Sequence, residues 1–312
     1  MEFRLRKNEI ACAACVPITA TRYAEISVAS DALLLISKIE ESWDNLIKNF
    51  IDIESEIIKC ALDNMVISYD DPFQYQDNRL NFSRLFNNFL SSSRAYIDHT
   101  PHHISSLERY DIAKYFNDLR IAAYDGSFEY RFIEALRNYS QHRGLPIHGT
   151  SYLSSWINDF DENGQFSGKG QLRHTVTASI NLKALTEDKK FKRSVAAELS
   201  GRGSQLDVST CIRLYVEALG RVHMALRLTL KEITASATDV LTQAIRDYGD
   251  CDDGNTIGLH AEQMDDNGNL IEAVSISRNL IDWIERLTRR NRDVVNLSRR
   301  YATNEIIPPT SK

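Results

Sequence analysis

Glycine and proline are scarce in this chain: 13 and 6 among 312 residues. That excludes collagen-like repeats and flexible linkers, and it leaves few places where a helix must break. Long apolar runs are missing too. The longest near the N-terminus, Ala32 to Ile36, falls far short of the roughly 20 residues that span a bilayer. The opening residues Met1 to Lys7 alternate apolar and charged side chains instead of forming the apolar core of a secretory leader. Cysteine is sparse and odd in number, at five, which fits a reducing compartment better than a disulfide framework. Excess positive charge is also absent. The net charge of −6 gives no whole-molecule field that gathers nucleic acid, so any such contact must come from a local patch. A soluble, cytoplasmic, helix-rich protein is expected.

The remaining composition, 43% hydrophobic and 26% charged, is that of an ordinary globular chain long enough for a sizeable core. Phe3 and Leu5 alternate with charges as in a short strand, and Pro17, Thr19 and Thr21 read as a turn. From Ser30-Asp31, apolar residues recur at three- and four-residue steps through Leu34, Trp43, Leu46, Phe50, Ile53 and Ile57 as far as Val66. Further helices are expected over 80–98, closed by Pro101, over 105–123, and over 127–143. The last has Ser127 as N-cap and Gly144 as a left-handed C-terminal cap before Pro146. The glycine-bearing stretch 159–170 reads as a loop, and alternation over 173–183 predicts a strand. The longest amphipathic run covers 206–247. A strand pair with a turn at Asp266-Asn267-Gly268 covers 256–276, and a last helix runs from Ser277 to about Tyr301. The expected organisation is an N-terminal strand and irregular segment (1–27), a helical bundle (28–150), and a helical extension (151–312) carrying one small antiparallel sheet and a basic C-terminal helix.

Three arginine–histidine pairs five positions apart occur: Arg94 with His99, Arg137 with His142, and Arg143 with His148. Spacing cannot rank them, but context favours the second. Asn138 and His142 are four apart and share a helical face, with Arg137 about 100° to the side. The helix is about to end, while Phe132, Ile133 and Leu136 anchor its other face. An imidazole, an amide and two guanidinium groups, from Arg137 and Arg143, are thereby presented together. Imidazole exchanges protons near neutral pH, and guanidinium binds and stabilises phosphate charge. Those are the groups that RNA cleavage without a metal requires. One histidine serves poorly as both acid and base, which favours a homodimer in which two helix ends meet. The bland alternative is a cap-and-anchor network in which His142 and Arg143 relieve the helix dipole.

The string Arg137-Asn138-x-x-x-His142, at the end of the last of four helices, resembles the signature of the HEPN superfamily. The longer string Arg137 to Pro146 is similar to that of bacterial HEPN-like proteins of similar length. The resemblance covers mainly residues 28–150. It implies a compact, often dimeric helical domain and a metal-independent ribonuclease of toxin–antitoxin or phage-defence type, which needs no cofactor. It also implies that Arg137 and His142 form the catalytic pair, with Asn138 as their polar neighbour, and that an antitoxin or defence-system partner protein is possible. Gly144 stands where the variant regulated by a nucleotidyltransferase antitoxin carries tyrosine, so that regulation is not implied. The alternative from another class is a non-catalytic helical module that binds nucleotide, RNA or a partner protein.

Other constellations are weaker. Cys12-Ala13-Ala14-Cys15 has the spacing of half a zinc site or a redox pair, but no second such pair exists, and incidental cysteines are favoured. His99, His102 and His103 beside Asp98 read as a solvated loop after a helix. Asp252 to Asn255 and Asp265 to Asn269 read as turns, because neither reaches a glutamate at calcium-loop spacing. The C-terminal helix expected over 277–301 holds seven arginines, Arg278, Arg286, Arg289, Arg290, Arg292, Arg299 and Arg300, against three acids. It is the best local patch for a phosphate backbone, through Arg286, Arg289 and Arg290 above all.

Overall fold

A computed structural model describes residues 1–8, 14–67, 73–157, 165, 170–250, 257–292 and 294–302. In chain order the elements are β1 (Glu2–Lys7), β2 (Cys15–Pro17), α1 (Ala20–Val66), α2 (Phe73–Ser105), α3 (Tyr110–Gly126), α4 (Phe128–His142), β3 (Gly149–Ile157) and β4 (Gln171–Asn181). There follow α5 (Leu182–Glu187), α6 (Arg193–Leu199), β5 (Gln205–Asp207), α7 (Val208–Gly249), β6 (Leu259–Met264), β7 (Leu270–Ser275) and α8 (Arg278–Arg290). The protein is mainly helical with small antiparallel sheets. No helix among the described residues is long and apolar enough to cross a membrane. The expectation for Cys12 and for the 252–255 turn lies outside the described residues, as does most of the 159–170 loop.

The chain forms two compact units, each assembled from three stretches. In the first (Met1–Leu46, Ser92–Arg120, Val222–Asp293), strands β2-β1-β6-β7 make an antiparallel sheet. Its buried face carries Leu5, Leu259 and Ala261, which pack with Ile26 and Leu33 of α1 and Leu241 and Tyr248 of α7. The β6–β7 turn is the one its sequence indicates. Asp265 accepts from the backbone N–H groups of Asn267 and Asn269, and Gly268 takes the positive φ of 79° that a side chain would resist.

The second unit (Ile47–Ser91, Ile121–Arg221, Val294–Lys312) holds a separate antiparallel sheet, β3-β4-β5. Among the described residues there are therefore two small sheets rather than one. The 173–183 strand is β4, whose partners β3 and β5 carry no strong alternation of their own. The core of this unit is aromatic. Tyr215 of α7 meets Tyr130 at 4.8 Å and Phe89 at 5.9 Å, both edge-on, and Phe128 stacks on Phe132. Gly220 lies where a Cβ would strike the Val294 carbonyl, so α7 needs glycine there for the chain to pass.

Several boundaries differ from the sequence expectation, each for a physical reason. Helix α1 starts ten residues before Ser30. The Thr19 hydroxyl accepts the Arg22 N–H, whereas Ser30 is buried inside the helix and its hydroxyl bonds the Ser275 carbonyl. With neither glycine nor proline across 47 residues, nothing interrupts it. Pro101 does not close α2. The Thr100 hydroxyl bonds the Tyr96 carbonyl, and burial of Ile97 and Ile104 on either side carries the helix to Ser105. His99, His102 and His103 are consequently helical, and not on a loop. Gly144 does not adopt the left-handed conformation. The Arg143 N–H closes the end of α4 on the Tyr139 carbonyl, at 2.8 Å. The final helix stops at Arg290, not near Tyr301, because Asn291 turns inward and its amide donates to buried Asp44. Only four of the seven arginines thus ride on α8, against two acids.

One polar network is enclosed in the first unit. Arg227 of α7 holds Glu40 of α1 through two hydrogen bonds, of 2.8 and 2.5 Å, and also reaches the Asn291 carbonyl. His223, one turn earlier, stacks on Trp43 at 4.5 Å and shares a 2.9 Å hydrogen bond with the Tyr96 hydroxyl. Its Nε2 lies 3.4 Å from Glu40 without hydrogen-bond geometry. Burial pushes the His223 pKa down, and Glu40 pulls it the other way. Burial alone would raise Glu40, yet His223 and Arg227 bring it to about 2.

Candidate active site

Helix α4 displays its polar end because its other face is fully used. Phe132, Ile133 and Leu136 are almost without exposure. The Ser127 hydroxyl caps the first turn by accepting the Tyr130 N–H at 3.2 Å, as its sequence position indicates. Arg131 ties the helix to α6 through Glu198 and also bonds the Tyr124 carbonyl. The Tyr215 hydroxyl donates to Glu134 at 2.9 Å. A helix of 15 residues, marginal alone, is in this way fixed along most of its length.

Past Leu136 the side chains turn outward. Arg137 is half-buried, and its Nη1 donates to the Asn138 Oδ1 at 3.3 Å. Its Nε is buried and has no partner among the described residues. Asn138 and His142 are exposed on one face, and the His142 imidazole makes no hydrogen bond to any described residue. Arg137 and Asn138 are therefore brought together, and His142 stands one turn further along, in the last turn of α4. Arg143 behaves differently. Its guanidinium bonds Asp188 at 2.9 Å, which raises the arginine pKa and lowers that of the aspartate. The anchoring function expected at this helix end thus falls to Arg143 and leaves His142 unencumbered.

Comparison of the chain with protein-family models, curated proteins and solved structures returns no match. The chemistry of the site rests on its own residues.

The arginines of α8 belong to the other compact unit. Arg290 pairs with Asp44, Arg286 lies over the Trp283 ring at 5.8 Å, and Arg289 is exposed. The Trp283 indole N–H is itself spent on Glu41. Among the described residues no three His, Cys, Asp or Glu side chains are grouped to hold a metal. The rings of His99 and His103 are 6.3 Å apart, and Cys15 is exposed.

Two residues beside the α4 end escaped the sequence reading. His148, half-buried, lies with its ring centroid 6.2 Å from that of Tyr139, and its backbone N–H donates to the Ser179 carbonyl of β4. Arg79 of α2 donates from Nη1 to the Ile147 carbonyl, adjoining His148. The only sequence signal for His148 was the Arg143–His148 spacing. For Arg79 there was none, because it precedes the expected start of its helix.

Proposed function

We propose that this protein is a metal-independent endoribonuclease of the HEPN type, built on a HEPN-like helical bundle and acting in the cytoplasm as a toxin or phage-defence effector. The observation that carries the reading is an exposed imidazole without a hydrogen-bond partner among the described residues, one turn from an Arg–Asn pair, on a helix whose opposite face is buried. A structural histidine would be expected to have a partner.

The reaction follows from these groups. The 2′-oxygen of a ribose attacks the adjacent phosphorus, and the bond from phosphorus to the 5′-oxygen breaks. One His142 takes the 2′-hydroxyl proton, and the His142 of a second copy delivers a proton to the departing oxygen. Arg137 meets the charge that grows on the phosphoryl oxygens, and Asn138 orients that guanidinium or the phosphate. The products are a 2′,3′-cyclic phosphate and a 5′-hydroxyl end.

The test is cleavage of total tRNA and of a generic single-stranded RNA in excess EDTA, by the wild type and by His142→Ala. Cleavage by the wild type alone is expected, with a melting temperature unchanged by the substitution. Equal cleavage by both proteins would place the activity elsewhere. Binding of RNA or nucleotide without turnover would hand the site to the non-catalytic module.

A further inference from the structure

A guanidinium and an imidazole share a partly buried position beside the end of α4, and no carboxylate among the described residues pairs with either. Arg79 donates from Nε to Gln76 and from Nη1 to the Ile147 carbonyl, at 3.1 and 3.3 Å. Among the described residues no acid pairs with it, and its Nη2 is uncommitted. Fixing the guanidinium at residue 147 brings its charge to bear on the neighbouring His148. The His148 Nδ1 is buried and has no hydrogen-bond partner among the described residues. The main chain there cannot easily drift, because the His148 N–H is bonded to Ser179 and the Ser179 hydroxyl bonds the Gly149 carbonyl.

Tyr139 completes the group. Its ring centroid lies 6.2 Å from that of His148 and 6.3 Å from that of Phe191. Its hydroxyl would be 3.8 Å from a Cβ on Gly144, and it has no hydrogen-bond partner among the described residues. Tyr139 precedes His142 by three positions, so the cluster adjoins the candidate active site within the same compact unit. Burial lowers the His148 pKa, and Arg79 lowers it further, while the Pro146 backbone acts in the opposite sense. Two potential cations that repel each other, with an uncommitted hydroxyl and a buried empty donor-acceptor atom, form the environment that an oxyanion relieves. A phosphate would accept from all three and let His148 protonate.

We propose that Arg79, His148 and Tyr139 form a phosphate-binding subsite, which holds a phosphodiester of the RNA next to the one that is cut. The identity of the ligand as RNA rests on the ribonuclease reading; anion binding itself does not.

The probe is inorganic phosphate, titrated at constant ionic strength into the full-length protein with labelled histidines, and followed by the His148 ring resonances. His148→Gln supplies the assignment. The wild type should show a saturable shift and a raised His148 pKa on binding. Arg79→Gln should raise the pKa of the free protein and weaken phosphate binding about tenfold, the loss of one charge-assisted contact. His142→Ala should leave the phosphate titration intact. In parallel, Arg79→Gln should weaken binding of a labelled single-stranded RNA and reduce its logarithmic salt slope by about 0.7, one phosphate contact. A His148 ring that ignores phosphate, or an Arg79→Gln protein that binds it as well as the wild type, overturns the subsite. Saturable phosphate binding in a protein that cuts no RNA leaves the subsite standing and removes the ribonuclease reading. RNA cleavage without phosphate binding does the reverse.

Discussion

Arg227→Met should cost about 3–5 kcal/mol of folding stability, the usual penalty for removing one partner of a buried ion pair. Glu40 is 4% exposed, and both its oxygens are held by Arg227. Methionine keeps most of the buried stem but leaves the carboxylate without the guanidinium that holds both its oxygens. Urea denaturation would measure the loss, and adding Glu40→Gln to Arg227→Met should recover part of it, because the buried charge then disappears. The same pair sets a pH window. A carboxylate held at about 2 instead of the ordinary 4.5 contributes stability that is fully present above the unfolded value. That stability drains as pH falls from near 4.5 toward 2, by roughly 3 kcal/mol. Glu40→Gln should flatten this acid limb. If Arg227→Met behaves like a surface substitution, with a loss under about 0.5 kcal/mol, the network contributes little.

That network also shows why some of the fold could be read from the sequence and some could not. Helices α1, α4 and α7 announce themselves, since their apolar stripes are long and little glycine or proline interrupts them. The β6–β7 hairpin was equally legible from Asp266-Asn267-Gly268. By contrast, the start of α1 depends on a choice between two hydroxyl caps, Thr19 and Ser30. That choice is decided by the Ser275 carbonyl, 245 positions away from Ser30. The continuation of α2 through Pro101 depends on burial of Ile97 and Ile104, a tertiary effect that overrides the local breaker. Strand β3 pairs along nine residues with β4, but Ser151, Ser154 and Ser155 blur its alternation. Of the site, Arg137, Asn138 and His142 came from local spacing and resemblance. Arg79 could not, because it comes to His148 only through the packing of α2 on the segment that follows α4.

Arg137→Ala and His142→Ala should each reduce RNA cleavage by about 10²–10⁴-fold, the range for losing a general acid–base or a preorganised charge stabiliser. The double variant should cut no more slowly than the worse single one. Groups that act on the same transition state are non-additive, because once the proton transfer is gone, charge stabilisation has little left to assist. A structural account predicts the opposite pattern, with stability losses that add and no special loss of rate. The structure separates the two cases, since the His142 imidazole is exposed and hydrogen-bonds no described residue, so its removal should leave the melting temperature in place. Arg137 needs a finer control, because its stem is half-buried and its Nη1 holds Asn138. Arg137→Lys keeps the charge and much of the stem but loses the planar fork. A protein with Arg137→Lys that is stable yet nearly as slow as Arg137→Ala would assign the guanidinium to the phosphate. Full activity in that variant would reduce Arg137 to a spacer, and the catalytic pair would have to be sought around His142 and its neighbours on α4.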